Sequence, residues 1–116
     1  MKVFLNDLQD QGCHIEKALE RFFYDEELYV QCYSKLMGSE EFELLQKKVK
    51  SQEKEDGLKV THSLKGVLAN LELTPMRELV LEIETSIKND FWQEANLKCR
   101  ELMKMKSLYK NILQES

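Results

Sequence analysis

The chain has 116 residues, 42% hydrophobic and 33% charged, which suits one domain with its own core and leaves no room for a separate catalytic domain. Its 17 basic and 21 acidic side chains give a net charge of −4, which excludes the basic footprint of a nucleic-acid binder. No apolar run approaches the length of a membrane span, and the start, Met1-Lys2-Val3-Phe4-Leu5-Asn6-Asp7, turns polar too early for a signal peptide, so the expected location is the cytoplasm.

One proline and four glycines leave few turn signals and favour long helices over many short strands. The first few residues read as an irregular or helical lead-in. Ile15, Ala18, Leu19 and Phe22 recur at helical spacing, which predicts a short amphipathic helix near residues 14 to 23. Asp25 can cap the next helix, with Glu26 and Glu27 in its positive first turn and Leu28, Cys32 and Leu36 marking its inner face. Gly38 stops it. Ser39 then caps a helix with Phe42, Leu45 and Val49 inward, acids early and Lys47, Lys48 and Lys50 late, the charge order that suits the helix dipole.

The polar run Ser51-Gln52-Glu53-Lys54-Glu55-Asp56 leads into a further helix that starts after Ser51 or after Asp56, Gly57 disfavouring the earlier start. Thr74 followed by Pro75 reads as an N-cap and first helical residue. That helix runs to about Lys88 with Met76, Leu79, Ile83 and Ile87 on one stripe, and Asn89-Asp90 makes the turn. A last helix carries Phe91, Ala95, Cys99, Leu102, Met105, Tyr109 and Ile112 at every third or fourth position, a core-filling pattern rather than a cofactor box. Short loops between antiparallel helices predict an all-α fold, an antiparallel up-down four-helix bundle with an additional short N-terminal helix, spanning the whole chain as one domain. The three cysteines are widely spaced with no Cys-x-x-Cys pair and read as reduced thiols. A metal site from Cys13, His14 and His62 is set aside, because nothing in their spacing fixes a ligand geometry.

The most informative segment is Thr61-His62-Ser63-Leu64-Lys65-Gly66. A helix advances about 100° per residue, so Val60, Leu64, Val67, Leu68 and Leu71 fall roughly 140° to 240° from His62 and form the core-facing stripe. His62 lies opposite, sharing its face with Glu55, Leu58, Lys59, Lys65, Gly66, Ala69 and Leu73. A lone histidine is usually a core residue or an idle surface one. The position of the stripe argues against the first. Gly66 argues against the second, because glycine inside a helix costs about 1 kcal/mol relative to alanine and needs a reason. An imidazole, a cation one turn on and a gap in the side-chain surface point to a covalent carrier with room for a bulky donor.

His62-Ser63-Leu64-Lys65-Gly66, with Asn70-Leu71 and Leu73-Thr74-Pro75 after it, resembles the signature of bacterial histidine-containing phosphotransfer (HPt) domains. Leu19-Glu20-Arg21-Phe22 and Asp25-Glu26-Glu27-Leu28-Tyr29 extend the resemblance upstream. It implies a four-helix bundle that carries a phosphoryl group on an exposed histidine and exchanges it with the aspartate of response-regulator receiver domains, or takes it from histidine kinases. On that resemblance His62 is the phosphoryl acceptor, Lys65 stabilises phosphate, Gly66 gives access, and Leu58, Lys59, Ala69 and Leu73 dock the partner. The family often has alanine where this chain has Thr61 and glycine where it has Glu72, and a glutamate there adds negative charge near the site. The chain has no glycine-rich phosphate loop, so no ATP site, cofactor or small-molecule substrate is expected of it; magnesium is expected on the partner receiver domain. The alternative is a docking module that binds a receiver or kinase domain without carrying phosphate. An inert structural bundle leaves Gly66 unexplained.

Overall fold

The computed structural model describes residues 3–114 and is all-helical, with no strand among the described residues. Seven helices follow in order: α1 (Val3–Asp10), α2 (Ile15–Arg21), α3 (Glu26–Met37), α4 (Glu41–Lys50), α5 (Lys54–Asn70), α6 (Thr74–Lys88) and α7 (Trp92–Gln114). Three helices, rather than one short one, precede the long pairings. α5 packs along α6, α6 along α7, and α4 against both α5 and α7, so these four close a ring around shared core residues; α1 and α3 lean on α7, and α2 joins them.

Helix limits follow local chemistry. The Asp25 carboxylate accepts the Leu28 N–H at 3.0 Å and caps α3. Ser39 stands one place before the N-cap of α4, Glu40, and its hydroxyl accepts the Glu41 N–H at 3.2 Å. Thr74 is the first residue of α6 and makes no side-chain cap; Leu73 holds the cap position. α5 begins at Lys54, between the two expected starts, with Gly57 inside its first turns. That glycine is buried, and a Cβ there would stand 3.3 Å from Ile87 Cδ1, so it lets α5 approach α6 closely.

The turns after α4, α5 and α6 share one geometry. Gln52, Glu72 and Asp90 have φ of 53°, 53° and 58°. In each, the residue after donates its N–H back five positions: Glu53 to Lys48 O at 2.9 Å, Leu73 to Leu68 O at 3.0 Å, and Phe91 to Ser86 O at 2.8 Å. These are Schellman endings that satisfy the last carbonyls of each helix.

The stripes of α4, α6 and α7 are buried largely as expected, but α3 turns a different face inward. Tyr29, Tyr33, Leu36 and Met37 are buried, whereas Leu28 is exposed and Cys32 half-buried. The tyrosines win because each finds a buried acceptor. Tyr29 Oη donates to Leu71 O at 2.7 Å and Tyr33 Oη to Tyr109 O at 2.6 Å, and Phe4 meets the Tyr33 ring edge-on at 4.9 Å. Val67 and Phe91, expected on core stripes, are exposed.

Candidate functional site

His62 projects from the middle of α5 into solvent, while Val60, Thr61, Leu64 and Leu68 of the same helix are buried. Gly66, one turn on, is exposed, and a Cβ added to it would meet no atom within 4 Å. The helical glycine therefore serves no packing need inside the chain. It leaves open space beside the imidazole.

Lys65 is not a free cation. Its Nζ donates to Glu84 on α6 and lies 3.0 Å from each carboxylate oxygen. Thr61 Oγ1 donates to the same carboxylate at 3.3 Å and to Leu58 O at 2.9 Å, and Lys88 Nζ stands 3.6 Å from it. Burial alone would raise the Glu84 carboxyl, but the Lys65 hydrogen bond and charge, with help from Lys88 and Thr61, hold it below the usual carboxylate range. Glu84 is the residue that sequence reading missed, since an acid is ordinarily assigned to solvent. Its signal was its spacing: Val80, Glu84 and Ile87 fall on one stripe, so the acid occupies a core-facing position opposite α5.

The other expected residues divide. Leu58 and Ala69 are half-buried on the His62 side, and Lys59 is exposed, its Nζ 3.8 Å from Glu55 in a loose surface pair that contributes little. Leu73 is fully buried and does not belong to the docking fringe. The helical projection that placed it beside His62 stops being valid at Asn70, because the left-handed residue Glu72 swings the chain back into the core. Glu72 also differs from expectation. Its backbone adopts the conformation that favours glycine, and its carboxylate pairs with Arg21 at 3.0 Å instead of standing as a free charge near His62. Arg21 further donates to the carbonyls of Ala69 at 2.7 Å and Asn70 at 3.2 Å, capping the C-terminal end of α5 from outside.

Cys13, His14 and His62 are not brought together, and no group of three or more His, Cys, Asp or Glu side chains among the described residues could hold a metal ion. Cys13 contacts Tyr109 Oη at 3.7 Å, and burial pushes the thiols of Cys13 and Cys99 up to about 11, as inert core cysteines. No described helix is long and apolar enough to cross a membrane. No protein-family model, curated protein or solved structure matches the chain.

Proposed function

We propose that the chain is a phosphohistidine carrier, a histidine phosphotransfer domain. Within that class it acts as a cytoplasmic phosphorelay intermediate, exchanging a phosphoryl group between His62 and the aspartate of a receiver domain, or accepting it from a histidine kinase. On this reading α4 to α7 are the antiparallel up-down four-helix bundle, and α1 to α3 buttress one end. The observation that carries it is the pairing of an exposed His62 with the open space at Gly66 on a helix otherwise built for packing.

The chemistry is a displacement at phosphorus. The unprotonated ring nitrogen attacks, the P–O bond to the partner's carboxylate breaks, and that carboxylate leaves with the bonding electrons; onward transfer reverses the roles. Positioning and charge stabilisation do most of the work in such transfers. Lys65 is one helical turn from His62 and can turn from Glu84 to the phosphoryl oxygens, because Thr61 and Lys88 remain on the carboxylate it leaves. The magnesium that such a transfer uses comes with the receiver domain.

The Lys65–Glu84 pair also favours a second reading, a docking module in which a lysine already bound to a carboxylate never holds phosphate. Transfer from a phosphorylated receiver domain to wild type and to His62→Gln separates the two. Acid-labile, base-stable label on wild type that vanishes in the variant establishes the carrier. A variant that keeps partner binding and full signalling establishes the docking module.

A further inference from the structure

α7 buries one face in the bundle and turns another to solvent. On the solvent face Leu97 is 51% exposed and Leu108 45%, with Glu101 and Lys104 exposed between them. At about 100° per residue these four side chains lie within roughly 60° of one another. The nearby Glu94 and Lys98 pair with each other, and Lys98 also reaches Glu82 of α6, but neither Glu101 nor Lys104 has an ion-pair partner among the described residues.

The stripe is symmetric about its middle. Its spacings are four, three and four, with leucine outermost and opposite charges inside. Turned end for end, a second copy of α7 sets its Leu108 against Leu97 and its Lys104 against Glu101, and a two-fold axis repeats both contacts. One step further out, Asn111 of the second copy stands opposite Glu94. These spacings are those of a coiled-coil seam, which keeps the contact on one stripe of each helix. A parallel pair would instead set Glu101 against Glu101 and Lys104 against Lys104.

The surroundings of the stripe favour the antiparallel pair. Phe91, Trp92, Glu94 and Leu97 border a shallow hollow, and Phe91 is 58% exposed; Leu108 of the second copy arrives there. On the α6 side Glu101 shares a border with Glu78 and Glu82, and of these Lys98 engages only Glu82. The ammonium of the second copy's Lys104 therefore meets an acidic corner that its own chain leaves unneutralised. Arg100, exposed on the opposite edge of the stripe, stands with Lys104 on the basic side.

We infer that the chain forms a homodimer through the solvent face of α7, two copies antiparallel about an axis between Glu101 and Lys104. One helix pair covers less than the standard area of about 800 Å² per partner, so the dimer is weak and driven by concentration. α5 packs on α4 and α6, across the ring from α7. Both His62 faces stay open in the pair, and the inference does not depend on what His62 does.

Sedimentation equilibrium of the chain from about 10 µM to about 1 mM tests it. The weight-average mass should climb from 13.7 kDa toward twice that value. Lys104→Glu surrounds the axis with carboxylates alone and should weaken association by about tenfold or more. Glu101→Lys/Lys104→Glu exchanges the charges, restores opposite signs across the axis and should recover wild-type association, which a misfolded variant could not do. Wild type that stays monomeric throughout overturns the dimer and leaves the face to a different protein. A dimer that Lys104→Glu does not weaken overturns this face. One that the exchanged pair does not recover overturns the antiparallel register.

Discussion

The Lys65 ammonium on α5 lies 3.0 Å from both carboxylate oxygens of Glu84 on α6, which makes a partly buried ion pair the neighbour of the exposed histidine. Removing either partner leaves the other short of a contact, while Lys88 and Thr61 cushion the loss on the Glu84 side. Lys65→Ala and Glu84→Gln should each destabilise the fold by about 1 kcal/mol, with a coupling energy of about 1 kcal/mol in a double-mutant cycle. Urea unfolding of the four proteins measures it, and strict additivity would show that the pair is idle.

Acid should act through the same carboxylate and through Glu43. Burial works to raise Glu43, but the Lys106 hydrogen bond at 2.6 Å and the Lys106 and Lys110 charges hold it below its ordinary 4.5, as Lys65 does for Glu84. Carboxyls depressed in the folded state contribute stability that is complete above about pH 4.5 and is lost as pH falls through their lower folded values. The stability of wild type should therefore drop with acidification below that point. A Glu43→Gln/Glu84→Gln variant, starting lower, should show a shallower slope over the same range in thermal melts.

Gly66→Ala separates helix stability from function. Nothing stands within 4 Å of the added methyl, so α5 should gain about 0.5–1 kcal/mol. If the gap admits the partner, transfer from a receiver should slow by about tenfold even as the melting temperature rises. Unchanged transfer would return Gly66 to the ranks of idle surface residues.

Gln52→Gly should also stabilise. Gln52 is exposed at φ 53°, and replacing it with glycine relieves left-handed strain at some cost in unfolded-state entropy, for a net gain of about 0.5 kcal/mol. Glu72→Gly at the same turn position should gain less, because it gives up the Arg21 pair. Chemical denaturation ranks the two.

The buried phenols should not be equivalent. Tyr29 donates to Leu71 O, a carbonyl at the end of α5 whose fourth residue on is Pro75, with no N–H to offer. Tyr109 O, which Tyr33 reaches, lies inside α7 within range of the helix's own donors. Tyr29→Phe should cost about 2 kcal/mol and Tyr33→Phe about 1 kcal/mol, measured by urea unfolding. The reverse order would mean that the Leu71 carbonyl finds water.

Periodicity made the long helices legible, because Met76, Leu79, Ile83 and Ile87, or Ala95, Cys99, Leu102, Tyr109 and Ile112, fall at helical spacing and are buried, although Met105 of the same stripe is half-buried beside the buried Lys106. The exposure of His62 followed from the same arithmetic. What failed were places where polarity and burial part company. Tyr29 and Tyr33 outcompeted Leu28 and Cys32 because a hydroxyl with a buried acceptor can enter the core. Glu84 and Lys106 are buried charges whose partners, Lys65 and Glu43, lie on other helices and so cannot be paired along one strip of sequence. Leu73 was lost to a single left-handed residue that ended the helix before its angle could be extrapolated.

The two ends of α5 are held very differently. Arg21 and Tyr29 fasten the last carbonyls, whereas the first turn has no side-chain cap and is held by surface ion pairs from Lys48 to Glu53 and Asp56, from Lys54 to Asp90 and from Lys59 to Glu55. Opening fluctuations must then enter the helix from the Lys54 side and die out toward Ala69. Amide hydrogen exchange should trace that gradient, fast near Glu55, intermediate around His62 and slowest at Leu68, so the histidine rides midway along a helix hinged at one end and frayed at the other.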